Sequence, residues 1–267
     1  MAIGATHIDH IVISSNNSGA VAQTFADNLG IEIKRKMIRP GTSAQLAFAK
    51  LQEVVLEFAG PPQVNPDEEV KAKLWGMVLA VEDIDAAVAD LRSKGYTVGD
   101  PHEGRPAGGE NRHRQGRDQR CAVCDDPVQR AADRRCFRMR VKRIDHVGIV
   151  VKDLDAALTT YARNFGFAAD ASRGGDVAAL GIRNAFMPVG ESDLEFIQAV
   201  ADEGPVAQFA KERGEGTFML SIEVEDIDAA VERLRGTGAR VGSPNNGVAF
   251  VSAKSAHGVN LQLVQRK

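Results

Sequence analysis

Three polar side chains lie in apolar, strand-like segments of the second half of the chain, where a buried polar group needs a partner. Glu195 and Gln262 each stand between two apolar residues. Because successive strand residues point to opposite faces, the sequence predicts that each polar group faces away from its neighbours. The same alternation predicts His146 on one face and Asp145 and Val147 on the other. An ionised carboxylate facing a cavity costs several kcal/mol unless it is paired, so Glu195 is a candidate for proton transfer or cation binding. A lone strand histidine is, by itself, more typical of a hydrogen-bonded core residue.

A second set of reactive side chains falls in one unusual stretch. Cys121, Cys124 and Cys136 all lie there, together with His113. A structural zinc site uses four tetrahedral ligands, usually in two closely spaced pairs. Here one Cys-x-x-Cys pair is accompanied by two scattered residues, so the spacing does not favour zinc. Three cysteines also do not make a disulfide framework.

This stretch, residues 104–143, is called the arginine-rich segment below. Eleven arginines and one lysine lie between Arg105 and Arg143, and the interleaved aromatic residues of a nucleic-acid-binding segment are missing. We favour the hypothesis that the segment is translated out of frame between two compensating frame changes, in the gene or in its recorded sequence. The first half would then have lost its last strands, and resequencing the gene tests this.

The composition bounds the remaining possibilities. The chain has 267 residues, with 33 basic against 36 acidic side chains and a net charge of -3, so it lacks the strong basic excess of a dedicated nucleic-acid binder. With 43% hydrophobic and 26% charged residues, it can build a sizeable core. No apolar run approaches the roughly 18 residues of a membrane helix, and the N-terminus lacks signal-peptide features. We therefore expect a cytoplasmic protein that binds neither membranes nor nucleic acids.

The elements that must position these residues occur twice. Ile8–Ile13 recurs as Ile144–Ile149, and Val81–Gly99 recurs as Val224–Gly242 with the unbroken run VEDIDAAV in both copies. Several ordered matches at slowly drifting offsets indicate a tandem duplication. The two copies are predicted to span residues 1–135 and 144–267.

Each copy divides again into two strand–helix–strands units. IDHVGIVV is typical of a strand, and Asp153 is predicted to cap the helix that follows and ends at Gly166. Asp226 is predicted to cap a second such helix, and short strand-like runs follow each helix. The chain is therefore predicted to be an α+β protein of four βαβββ units, with mixed sheets and helices on their outer face.

Three motifs carry a resemblance to a known family. They are IDHVGIVVKDLDAAL from Ile144, Met187–Gly190 followed by DLEF, and Lys254–Leu263. This pattern resembles the vicinal oxygen chelate superfamily, which includes glyoxalase I, methylmalonyl-CoA epimerase, extradiol dioxygenases and bleomycin-resistance proteins, and it is most similar to the epimerase and glyoxalase I branch. The resemblance implies two tandem domains, each made of two βαβββ units whose curved sheets enclose a metal site.

The resemblance also implies which residues hold the metal. The family's ligand positions fall on His146, Glu195, Met219 and Gln262. Met219 stands where a second histidine is usual and Gln262 where a glutamate is usual. Because thioether sulfur suits Cu(I) and not hard divalent ions, we expect His146, Glu195 and Gln262 to bind a divalent ion (Co, Mn, Ni, Zn or Fe), with Met219 as a cavity wall that contacts substrate.

In the first copy, the matching positions are His10, Glu57 and Gly76. Glycine offers no side-chain ligand, and the fourth position would fall in the arginine-rich segment. We expect no working metal site in this half.

The candidate proton-transfer residues are carboxylates near the metal. The family's base has no clear counterpart here, which leaves Asp176 as a weak candidate and Glu195 as another if it is not a ligand. His257 is predicted to be a loop residue or a substrate contact.

Three functions stay open. The first is a metalloenzyme, an isomerase or lyase, that transfers a proton next to the carbonyl or thioester of a small acid. The second is a metal-free protein that binds a small ligand, as in the bleomycin-resistance branch. The third, an extradiol dioxygenase, is disfavoured because its facial triad needs two histidines. The substrate is a small molecule in each case, and a homodimer is an option because superfamily members often pair domains across subunits.

Overall fold

A computed structural model describes residues 3–61, 67–101 and 139–266 of the chain. The described part contains strands and helices that we number in chain order. The strands are β1 (Ala5–Ser15), β2 (Ile33–Ile38), β3 (Gln45–Leu51), β4 (Val54–Gly60), β5 (Ala72–Val81), β6 (Val141–Val150), β7 (Gly174–Val177), β8 (Ile182–Val189), β9 (Ser192–Ala199), β10 (Gly216–Val224), β11 (Val248–Val251) and β12 (Asn260–Val264). The α-helices are α1 (Ser18–Leu29), α2 (Ile84–Ser93), α3 (Leu154–Phe165), α4 (Pro205–Arg213) and α5 (Ile227–Gly236).

The strands form two mixed sheets, one in each half of the chain. The first has the order β2-β3-β4-β1-β5 and the second the order β11-β12-β10-β6-β9-β8-β7. In the first sheet, β1 runs parallel to β4 and antiparallel to β5. In the second, β6 runs parallel to β9 and antiparallel to β10. The shared pattern confirms the predicted α+β fold and the tandem arrangement.

The helices begin where the sequence predicts. Asp153 accepts a hydrogen bond from the backbone N–H of Ala156, and Asp226 does the same from Ala229. Gly166 ends α3 with a left-handed backbone, at φ 80°, a conformation that favours glycine. Local capping therefore fixes the ends of the helices that flank the strands of the site.

The described structure differs from four ideal βαβββ units in the last unit. After α5 there are two strands, and the first expected strand is reduced to isolated bridges at Val241 and Asn245. Pro244, which cannot donate a ladder hydrogen bond, lies between them. The sequence analysis also did not predict α4, which begins at Pro205 in the connection between β9 and β10.

The two halves share one hydrophobic core. Buried residues of both sheets belong to the same cluster, among them Phe58 from the first half and Leu220 from the second. The backbone N–H of Ala72 donates to the carbonyl oxygen of His257 at 2.6 Å, and the Thr217 hydroxyl donates to the carbonyl oxygen of Leu74 at 3.1 Å. The start of β5 is thus bonded directly to the second half.

Most of the arginine-rich segment lies outside the described residues. This holds for His113 and for Cys121, Cys124 and Cys136, so the zinc and frame-change hypotheses stay predictions, as do the domain boundaries. Within the described residues, no helix has both the length and the apolar content to cross a membrane.

The contact between the halves predicts a selective effect of one glycine. Gly258 has φ +107°, and a Cβ added there would lie 2.7 Å from the carbonyl oxygen of Ala72. We expect Gly258→Ala to lower the free energy of unfolding by about 2–3 kcal/mol, from backbone strain and this clash together. The measurement is urea unfolding followed by circular dichroism.

The matched control is Gly238→Ala, at φ +85° with no atom within 4 Å of the added Cβ. It should show the backbone strain alone, about 1 kcal/mol. Equal losses for both variants would contradict the proposed contact.

Candidate functional site

A β-bulge places an aspartate against the site histidine. In the pairing of β6 with β10, His146 lies opposite Ser221 and Ile144 opposite Ile222, so Asp145 is the extra residue between them. Its Oδ2 lies 2.7 Å from Nδ1 of His146. The prediction that alternation separates these two side chains is therefore wrong, because the bulge interrupts the two-residue period.

The other imidazole nitrogen faces the predicted glutamate. Nε2 of His146 lies 3.2 Å from Oε2 of Glu195, without forming a hydrogen bond of good geometry, and Nε2 is buried with no other partner. Both side chains are more than nine-tenths buried. His146 thus stands between two carboxylates, and its Nε2 is directed at Glu195.

The aspartate is itself held by cations. The Arg266 guanidinium donates to both carboxylate oxygens of Asp145, at 2.9 and 2.5 Å, and Arg143 donates to Oδ1 at 3.2 Å. Burial would raise the pKa of Asp145, but hydrogen bonds from His146 and Arg266 outweigh it and hold this pKa well below its usual range.

The pKa of His146 is shifted in the opposite direction, upwards. Burial would lower the pKa of His146, but the hydrogen bond with Asp145 and the interaction with Glu195 outweigh that effect and raise it. The surroundings of His146 therefore stabilise the imidazolium relative to a histidine in water.

Two further polar residues orient the predicted ligands. The Asn184 side-chain amide donates to Oε1 of Glu195 at 2.5 Å, which fixes that carboxylate on β9. The Ser221 hydroxyl donates to Oε1 of Gln262 at 2.8 Å. Oε1 of Gln262, the oxygen that could bind a cation, therefore already accepts a hydrogen bond from the neighbouring strand β10.

The sequence analysis missed both of these residues. Ser221 carries a usable signal, because it follows Met219 by two residues and a two-residue period puts both on one face. Asn184 carries none, because its role depends on the long-range register in which β8 pairs with β9.

Three of the four predicted ligand positions line one cavity. Glu195, Met219 and Gln262 face a cavity of about 430 Å³ in the second half. The other lining residues are mostly apolar and come from β8–β12, from α4 and from the loops: Leu180, Ile182, Ile197, Pro205, Val206, Phe218, Phe250, Val251, Ser252, Ala253, Asn260 and Leu261. The site is thus an apolar chamber with a polar end at Glu195 and Gln262.

The donor set fits a divalent cation with few protein ligands. Ligand bonds of roughly 2.0–2.2 Å at a right angle separate two donor atoms by about 3 Å, close to the 3.2 Å between His146 Nε2 and Glu195 Oε2. The buried, unpartnered Nε2 is available as a ligand. In the described part of the chain, no three His, Cys, Asp or Glu residues cluster for a metal, so Gln262 would have to supply the third protein donor.

Two predicted site residues lie elsewhere. Asp176 is exposed on β7, opposite Arg183, whose guanidinium turns to Asp155 at the start of α3. Asp176 therefore lies on the helix side of the sheet, and we withdraw it as a base. His257 does not line the cavity: its Nε2 lies 2.8 Å from the Thr24 hydroxyl in the first half. We assign it to the contact between the halves and not to substrate binding.

The first half repeats the pair in a more open form. Asp9 is again the extra residue of a bulge, and it lies 2.7 Å from His10 Nδ1. His10 Nε2 lies 3.5 Å from Oε2 of Glu57. The Asp9 side chain is 48% exposed against 1% for Asp145, and Gly76 offers no side chain. The expectation of no metal site in this half stays a prediction.

The bulge predicts a pH effect on the histidine. In EDTA-treated protein, Asp145→Asn should lower the NMR titration midpoint of His146, because it removes a negative charge and a strong acceptor. In the wild type, the raised pKa stabilises the fold below about pH 6.5, and this contribution is lost as the pH rises through the native pKa. The stability of the variant should therefore vary less over that interval.

Asp9→Asn is the matched control, because it changes the same motif in the other half. It should leave the His146 midpoint unchanged. An unchanged midpoint in Asp145→Asn would show that the aspartate does not control the imidazole.

Comparison with known proteins finds one superfamily in both halves of the chain. Two family models, both described as the glyoxalase/bleomycin resistance protein/dioxygenase superfamily, match residues 143–255 and 9–113. The ethylmalonyl-CoA/methylmalonyl-CoA epimerase of Cereibacter sphaeroides is 32% identical over 134 residues, which cover 47% of this chain and 98% of that protein. The mitochondrial methylmalonyl-CoA epimerase of Bos taurus is 26% identical, over 46% of this chain and 74% of that protein.

Among solved structures, the methylmalonyl-CoA epimerase of Mycobacterium tuberculosis is 29% identical, with a TM-score of 0.45 over 48% of this chain and 89% of that one. The family matches cover both halves, and the first relative is matched over almost its whole length. The chain therefore belongs to the glyoxalase/bleomycin resistance protein/dioxygenase superfamily, the vicinal oxygen chelate superfamily, and lies close to its methylmalonyl-CoA epimerase branch.

Proposed function

We propose that the second half catalyses proton transfer at the carbon next to the carbonyl of a small acid or thioester, in the manner of an epimerase. The observation that carries this proposal is the buried pair of His146 Nε2 and Glu195 Oε2, 3.2 Å apart, with the glutamate lining the cavity. The two relatives reported above are named as epimerases of malonyl-CoA derivatives, which supports the same reaction class.

His146, Glu195 and Gln262 would hold a divalent cation in this cavity. When bound, such an ion supplies Lewis-acid polarisation of the substrate carbonyl, which acidifies the neighbouring C–H bond. Asp145 contributes by accepting the Nδ1 proton of His146, which leaves Nε2 as the ligand nitrogen.

Glu195 is the proposed base, a role that it fills when its Oε2 is not bound to the cation, because one oxygen cannot be a ligand and take the proton at the same time. It is the sole carboxylate among the residues that line this cavity in the described part of the chain. One of its oxygens is occupied by Asn184, so Oε2 is the oxygen that takes the proton from the α-carbon, and the C–H electron pair passes into the enolate. Water that protonates the enolate from the opposite face inverts the configuration, and Glu195 releases its proton to the hydroxide that remains; this exchange with solvent makes the reaction visible in D₂O.

A second candidate function is ligand binding without a metal. Met219 replaces an expected nitrogen ligand, and most of the cavity lining is apolar. A protein of the bleomycin-resistance type would use such a chamber to hold a small ligand, with the His146–Glu195 pair serving only to close its polar end. Ring cleavage receives no further support, since His146 is the one histidine that the described residues bring to this site.

The base is tested by substitution with its uncharged isostere. Glu195→Gln should lower the rate of α-proton exchange of methylmalonyl-CoA in D₂O by about 10²–10⁴-fold, the range for loss of a general base. NMR of the α-hydrogen measures the rate. Asn184→Ala should have a smaller effect, because it frees Oε1 without removing the base. An unchanged rate in Glu195→Gln would contradict the proposed role.

Metal content separates the two candidate functions. The purified chain is expected to retain a divalent ion that His146→Ala loses, and elemental analysis for Co, Mn, Ni, Zn and Fe measures it. The control is His10→Ala, which alters the matching pair of the first half and should leave the content unchanged. Background metal in all three proteins would favour the metal-free binder.

A further inference from the structure

We propose that the cavity takes a saturated hydrocarbon group longer than ethyl, carried on the α-carbon of the substrate. This inference rests on the proposed function, because it assumes that the reacting carbonyl lies at the polar end formed by Glu195 and Gln262. It concerns the rest of the cavity, whose lining is mostly apolar and has Ser252 and Asn260 as its other polar residues.

The size of the cavity supports a larger substituent. A volume of about 430 Å³ equals roughly 14 water molecules at about 30 Å³ each. A methylmalonyl group, with about seven non-hydrogen atoms, would fill roughly half of that space. Because an unfilled apolar space loses van der Waals contacts along its walls, a methyl substituent would leave much of the apolar wall without a contact.

Apolar side chains from several elements form most of the wall. Ile182 and Ile197 come from neighbouring strands of the sheet, Val206 comes from α4, and Phe218 lies near the start of β10. These side chains belong to a small second hydrophobic cluster between α4 and the sheet. The helix therefore closes the chamber with side chains that interact favourably with hydrocarbon.

The charge of the cavity lining also favours a neutral hydrocarbon group. Glu195 is the one ionisable residue among those that line the cavity in the described structure, and no lysine or arginine is among them. An anionic group in the body of the chamber, away from the polar end, would find no lysine or arginine to balance its charge. A neutral hydrocarbon carries no such cost.

Large apolar side chains also mark the mouth. Phe250 is 49% and Leu180 52% exposed, and both line the cavity. A hydrocarbon chain that reaches the mouth would cover them, which gives each added methylene more apolar surface to bury.

The test is a series of α-substituted malonyl-CoA thioesters. For methyl, ethyl and butyl substituents, kcat/KM for α-proton exchange in D₂O is expected to rise by about fourfold per methylene, so that butyl exceeds methyl by roughly 60-fold. Equal values, or a preference for methyl, would overturn the inference and leave the proposed function standing. Equal values are also the result expected if the CoA arm occupies the cavity.

Two variants link the preference to the cavity. Ala253→Leu enlarges a side chain that lines the cavity. Phe250→Ala removes the ring of a half-exposed residue that forms part of the apolar wall. Each should reduce the butyl-to-methyl ratio by tenfold or more. Ala253 begins a 3₁₀ helix (Ala253–Ala256). The matched control is Ala178→Leu, at an exposed alanine that begins a second 3₁₀ helix (Ala178–Leu180) and does not line the cavity. A ratio that stays unchanged in both cavity variants contradicts the inference.

Direct binding distinguishes failure of the inference from failure of the proposed function. Isothermal titration calorimetry with butanoate, hexanoate and octanoate needs no turnover. If no thioester exchanges its α-proton but affinity rises with chain length and falls in Ala253→Leu, the hydrocarbon site stands and the catalytic proposal fails. If neither exchange nor length-dependent binding occurs, both fail.

Discussion

The site depends on one constraint, which is the position of the His146 imidazole between two carboxylates. The Asp145 bulge turns its carboxylate to Nδ1, and the parallel pairing of β6 with β9 brings Glu195 to Nε2. Three charged groups within a buried space are tolerated because Arg266 and Arg143 compensate the aspartate. Loss of the bulge would remove the contact that holds the His146 imidazole in place. His146 is the one histidine that the described structure brings to this site.

The duplication shows which parts of this arrangement belong to the fold and which to the second half. Both halves contain the bulge and the histidine–glutamate pair, so these follow from the repeated strand motif itself. The second half adds Met219 and Gln262, which line a mostly apolar cavity with an open mouth, and Ser221, which donates a hydrogen bond to Gln262. In the first half, glycine stands at the position of Met219 and the aspartate is half exposed. The same backbone therefore supports two sites of different chemical capacity.

Much of the architecture could be predicted from the sequence, because it rests on local signals that occur more than once. Capping aspartates, the repeated strand motif and the two-residue alternation are enough to predict most of the elements, whereas the expectation that Glu195, Met219 and Gln262 share one site came from the resemblance to the superfamily. The bulge could not be predicted, since residues Ile144–Val150 of β6 are all buried, so no alternation of buried and exposed residues reveals the one-residue shift. Asn184 and His257 could not be placed because their contacts depend on strand register and on the packing of the two halves. The short β7 was also missed, because two glycines at positive φ replace the β-branched residues typical of strands.

The proposed function requires His146 and Glu195 to bind the same cation, while Met219 lines the cavity without binding it. X-ray absorption spectroscopy of the Co(II)-loaded chain tests it most directly. We expect the metal to have one imidazole and several oxygen donors at roughly 2.0–2.2 Å, and no sulfur donor. The imidazole signal should be lost in His146→Ala. A sulfur donor, two imidazoles, or an unchanged spectrum in that variant would contradict it.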